Sequence, residues 1–131
     1  MEWIYEGHKT AMRSAVERTQ AANKTGHISR EYAATLYLLT GMEWTWPRLE
    51  KHTGPHFIDC HGMLDEGLSR GEEHIVALAG NLFNGGTYAK FEPIDLVDHL
   101  DNDMYRLAVN GLRLRRSDLE AEDLRGGGDN A

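Results

Sequence analysis

An all-α fold, a compact single-domain bundle of about five or six helices, is what this 131-residue sequence predicts. Three observations predict it. Apolar residues recur at helical spacing in one segment after another. Serine, threonine and aspartate caps open those segments, and glycines close them. No run of alternating β-branched residues supports more than a stray strand. The length fits one domain with a core that needs no staples. That domain is assigned to residues 1–125, with a mobile glycine-rich tail at 126–131.

The elements follow in order. Trp3, Ile4, Ala11, Met12, Ala15 and Val16 place a first helix over 2–24, with His8 on its apolar side and Gly26 as its stop. Ser29 caps a second, through Tyr32, Ala33, Leu36, Tyr37 and Leu39 to Gly41; it is the most apolar and belongs at the centre. Thr45 and Pro47 open a short third helix reaching His52 before Thr53-Gly54-Pro55 breaks it. The stretch 56–68 is the least regular, with one turn around Met63 and Leu64.

Ser69-Arg70-Gly71-Glu72 is a capping box, and Ile75, Val76, Leu78, Ala79, Leu82 and Phe83 line the helix it heads, which stops at Asn84-Gly85-Gly86. An aromatic loop over 88–91 precedes a helix opened by Pro93, with Ile94, Leu96, Val97 and Leu100 facing the core. Asp101 caps the last core helix, carrying Met104, Tyr105, Leu107, Ala108 and Leu112. Ser117-Asp118-Leu119-Glu120 reads as a second capping box heading a short polar helix that ends near Arg125. The core is expected from the second and fifth helical segments and the last core helix.

Charge narrows the function. The chain carries 21 acids against 14 bases, a net −7, and the excess is concentrated in residues 92–131, with 10 acids against 5 bases. Phosphate repels such a chain, which argues against direct nucleic-acid or anionic-membrane binding; the charge is compatible with a basic protein partner, with solubility as the plainer explanation. The single cysteine, Cys60, forms no intrachain disulfide, and the N-terminal stretch MEWIYEGHKTAMR lacks the basic start and apolar run of a signal peptide. A cytoplasmic protein is expected.

Two stretches resemble a known family. Arg30-Glu31-Tyr32-Ala33-Ala34-Thr35-Leu36-Tyr37-Leu38-Leu39-Thr40-Gly41 is one; the other runs from Gly67-Leu68-Ser69-Arg70 to Asn81-Leu82-Phe83-Asn84-Gly85, where Phe83 stands in place of the family's usual tryptophan. They are similar to motifs of small uncharacterised proteins from Gram-positive bacteria, their phages and their mobile elements. The resemblance implies an origin in a phage or mobile element. It carries no established activity.

The richest cluster of ligand-type side chains is His52, His56, Asp59, Cys60 and His61. Such residues bind zinc, but the spacing matches no zinc pattern, and Gly54-Pro55 keep His52 and His56 off a common helical face. A polar loop with Phe57, Ile58 and Cys60 turned inward is the plainer reading. Cys60 and His61 are adjacent, so their side chains diverge, unlike a nucleophilic pair. Trp3, Trp44 and Trp46 are read as core, because a base-stacking platform needs interleaved cations. Asn84-Gly85-Gly86-Thr87 lacks the lysine of a phosphate loop, and Asp101-Asn102-Asp103 lacks the glycine and distal glutamate of a calcium loop. No cofactor is expected.

Glu92, Asp95, Asp98 and Asp101 recur every third residue, with Asp103 beyond. On a helix they form a stripe of like charge, which costs roughly a few tenths of a kcal/mol per neighbouring pair and suits a basic groove; an ordinary solvated face is the competing explanation. These five residues are the candidate partner-binding site. The expected function is a non-enzymatic binder of a host protein, an acidic, anti-CRISPR-like inhibitor of a defence complex that handles nucleic acid. The alternative is a metal-binding regulator or small enzyme built on His52, His56, Cys60 and His61.

Overall fold

The computed structural model describes residues 1–84 and 91–124. The glycine stop at 85–86, most of the aromatic loop at 88–91 and everything from Arg125 onward lie outside the described residues.

Helix α2 (Arg30–Thr40) is the centre of the fold. Ser29 has extended backbone and its Oγ accepts the Tyr32 N–H at 3.4 Å, so the predicted cap is made. Every residue from Ala33 to Thr40 is buried, as a helix apolar on all sides requires. Its buried hydroxyls find carbonyls: Thr35 Oγ1 donates to Ala79 O at 3.2 Å and Thr40 Oγ1 to Leu36 O at 2.6 Å. Helices α1 (His8–Thr19), α5 (Arg70–Asn84) and α7 (Asn102–Leu114) pack around it. Both caps expected in this part hold. Ser69 Oγ accepts from Glu72 N at 3.2 Å while Glu72 Oε1 accepts from Ser69 N at 2.7 Å, and Asp101 Oδ1 accepts from Met104 N at 2.8 Å.

Between these lie shorter pieces: α3 (Trp46–Leu49), which runs on as a 3-10 turn Glu50–His52, then α4 (Cys60–Met63) and α6 (Asp95–Asp98). The fold is mostly helical rather than purely all-α, because two antiparallel strand pairs join it. Strand β1 (His27–Ile28) pairs with β4 (Leu119–Glu120), and β2 (Thr53–Gly54) pairs with β3 (Phe57–Ile58). The second pair is a tight hairpin. Pro55 sits at its first corner and His56 has φ 65° at the next, the pattern of a type II turn. Arg18 Nε donates to Thr53 O, and His56 N to Thr19 O, each at 2.9 Å, fastening the hairpin to the end of α1.

Several sequence expectations need correction. The first helix does not span 2–24. Its start is displaced to His8 because the preceding residues fold back: His8 Nδ1 accepts from Ile4 N at 3.1 Å, and its Nε2 donates to Tyr37 O at 3.0 Å. Gln20, in the left-handed region at φ 55°, ends it well before Gly26. Thr45 makes no side-chain cap; its hydroxyl donates to Glu72 instead. The short polar helix expected near the end is present as a 3-10 turn, Ala121–Leu124, but Ser117–Glu120 does not cap it, because Leu119–Glu120 pairs with β1. Trp44 is 85% exposed rather than core, whereas Trp46 is buried. Among the described residues, no helix is long and apolar enough to cross a membrane.

Candidate functional site

The segment from Phe91 to Asp103 lies across the first half of α5 and leads into α7. Its close approach depends on Gly71: a Cβ there would stand 3.2 Å from the His99 carbonyl oxygen and 3.0 Å from Met104 Sδ. The helix predicted after Pro93 is only the single turn of α6, and it presents a different face from the one expected. Ile94 is 53% exposed and Val97 63% exposed, while Leu96 and Leu100 pack against the core. The inward turn comes from Asp95. Its Oδ2 accepts from Glu92 N at 3.1 Å and lies 3.5 Å from His74 Nδ1. That rotation throws Ile94 and Val97 outward.

The acidic stripe is therefore split. Glu92, Asp98, Asp101 and Asp103 are exposed; Asp95, expected at the surface, is largely buried against α5. Asp101 is occupied as the α7 cap, and Asp103 meets Arg106 NH2 at 3.5 Å. The same segment also exposes an apolar pair, Ile94 and Val97.

His74 is the residue that sequence reasoning missed. It projects from α5 with Nε2 buried and without a hydrogen-bond partner among the described residues. The His99 ring stacks on it at 5.1 Å and 21°, and Phe91 meets it edge-on at 6.5 Å. One ligand atom each from His74, Asp95 and His99 lie within 4.8 Å of one another, and theirs is the convergent set found among the described residues. The four-residue spacing of Asp95 and His99 was visible in the sequence. The convergence on His74, some twenty residues upstream, was not.

The cluster that is densest in the sequence, His52, His56, Cys60 and His61, does not converge among the described residues. His52 Nε2 lies 2.6 Å from Glu66 Oε2, and that imidazole with Lys51 holds the Glu66 carboxyl below the usual carboxylate range. His56 is exposed in its turn and His61 is exposed on α4. Cys60 is buried, and that burial, with Asp59 beside it, pushes its thiol up to about 12, far from a nucleophilic thiolate at neutral pH. Phe57, expected to face inward, is 48% exposed; Ile58 is buried as expected.

Burial pushes the Glu72 carboxyl up, but hydrogen bonds from Thr45 and Ser69, with Arg48 nearby, outweigh it and leave it below its ordinary value. The C-terminal acids are engaged locally, Asp118 and Glu120 with His27 and Asp123 Oδ2 with Glu120 N. In an open cleft of ≈ 690 Å³ beside Trp3, Tyr37 and Asn110, Tyr37 Oη donates to Glu2 O at 2.6 Å and Asn110 Nδ2 to Tyr37 Oη at 3.1 Å. Comparison of the chain with protein-family models, with curated proteins and with solved structures finds no match.

Proposed function

We propose that the chain is a non-enzymatic protein-binding factor that docks through residues 92–103 onto a basic surface of a host protein. The observation that carries this reading is the exposure of Ile94 and Val97 on a segment whose Glu92, Asp98, Asp101 and Asp103 are exposed as well. Two solvent-facing branched side chains on one helical turn have no role in the core, and a fold free to bury them has turned Asp95 inward instead. Apolar anchors ringed by charge are the anatomy of a docking patch, in which the anchors supply affinity and the ring steers encounter. The net charge of −7 selects a basic partner, and a groove that otherwise takes nucleic acid is the fitting class. The resemblance to phage and mobile-element proteins directs the search to host defence complexes of that kind. The groups best suited to chemistry by type, Cys60 and His8, are buried and turned away from it: the thiol is pushed up and the imidazole is pushed down.

Site-specific photocrosslinking tests the patch. A crosslinker placed at Val97 is expected to capture a basic protein from a bacterial lysate, while the same group at exposed Phe57, on the β2–β3 hairpin, does not capture it. Equal capture from both positions would assign no special role to residues 92–103.

A further inference from the structure

We infer that His74, Asp95 and His99 form a binding site for a divalent transition-metal ion of the zinc type. Two imidazoles and one carboxylate are the borderline nitrogen and oxygen donors that such ions prefer over calcium or magnesium, and three protein ligands leave a fourth position open. The geometry is close to what coordination needs. His74 Nδ1 and Asp95 Oδ2 are 3.5 Å apart. Ligands about 2.0–2.2 Å from a tetrahedral ion stand about 3.4 Å from each other. All three donors already lie within 4.8 Å of one another.

The usual structural explanation for a half-buried histidine, a partner on each ring nitrogen, covers only Nδ1 of His74, which faces Asp95 Oδ2. His8 shows what that explanation looks like, with both ring nitrogens paired at 3.1 and 3.0 Å. His74 instead carries a buried nitrogen with no partner among the described residues, beside a second imidazole stacked at 5.1 Å. The ligand atom of His74 is Nδ1, the nitrogen that faces Asp95 Oδ2, and two imidazoles and a carboxylate with donor atoms within 4.8 Å of one another make a ligand-type set. The surroundings favour a cation as well, since Glu92, Asp98 and Asp101 are on the same segment. An ion held here joins α5 to both ends of α6 and fixes the turn that carries Ile94 and Val97. The site does not depend on the docking proposal, and its test uses the chain alone.

The test is calorimetric titration of zinc into the chelator-treated full chain, with cobalt(II) as a visible-absorption probe of coordination. A single equivalent is expected to bind to the wild-type chain and equally to His27→Ala and His61→Ala. Affinity should fall on the order of a hundredfold or more in His99→Ala and in Asp95→Asn. His99 is partly exposed, so its variant keeps the fold, which far-ultraviolet circular dichroism verifies. The cobalt complex of the wild type should show the intense bands of a four-coordinate ion, and those bands should vanish in His99→Ala. Unchanged zinc affinity in both ligand variants, or binding lost in His61→Ala, overturns the assignment.

Discussion

Leu38→Ala is expected to destabilise the fold by about 3 kcal/mol or more, within the range for emptying a leucine site that cannot collapse. Leu38 is fully buried on the central helix, and its partner across the α2–α7 crossing is a glycine. A Cβ at Gly111 would lie 2.6 Å from Leu38 Cδ2 and 2.7 Å from its Cγ, so the two helices meet where one has no side chain. Truncating Leu38 leaves a hole that Gly111 has nothing to fill. The reciprocal change, Gly111→Ala, forces a methyl into occupied space and should cost about 1–3 kcal/mol in the wild type. In the Leu38→Ala background its sign inverts. The added methyl then occupies part of the void, and alanine's better helix propensity contributes about 1 kcal/mol. Urea midpoints of the two singles and the double, at constant m, measure this coupling.

Acidification from pH 7 to pH 5 is expected to remove about 2 kcal/mol of stability through His8 alone. Burial pushes this imidazole down to about 4 from its ordinary 6.5, against a smaller opposing pull from the Tyr37 carbonyl. Its Nδ1 accepts a hydrogen bond and its Nε2 donates one, a pattern only the neutral ring satisfies. Between pH 6.5 and about 4 the unfolded chain binds a proton that the folded chain refuses. Stability is therefore complete above pH 6.5 and falls as the pH drops towards 4. The depressed carboxylates Glu66 and Glu72 act lower, below their ordinary 4.5. Urea unfolding across that window should show the slope in the wild type and lose it in His8→Gln. A His8→Gln variant with the same slope would remove His8 as its source.

The parts of this fold that were legible in the sequence are those decided within a few residues. Ser29, Ser69 with Glu72, and Asp101 mark their helix starts because each cap bonds a backbone N–H two or three positions on. The unbroken apolar run of α2 marks the centre for the same local reason. What escaped was decided at long range. Strand β4 exists because Leu119 and Glu120 meet residues ninety positions earlier, and the competing capping-box reading is locally sound. The N-terminal residues carry helical spacing, yet Tyr37, far along the chain, accepts the His8 bond that folds them back.

The candidate site was half legible for the same reason. The acids of 92–103 were visible as a stripe. Their split into an exposed frame and an inward Asp95 required His74, which has no motif of its own. The histidine and cysteine cluster drew attention by density, but density in sequence is not convergence in space. A type II turn at His56 and a buried Cys60 send those donors apart.

The docking account is tested most directly by the affinity of the crosslinked partner for two charge-reversed chains at low and high salt. Asp98→Lys/Asp103→Lys alters the exposed frame of the patch. Glu17→Lys/Glu122→Lys makes the same change in net charge elsewhere on the surface, and all four residues are exposed. The account predicts that the first variant binds on the order of tenfold or more weakly at low salt, that the gap narrows as salt screens the surface, and that the second variant binds nearly as wild type. Equal affinities for the two variants at both salt concentrations would contradict it.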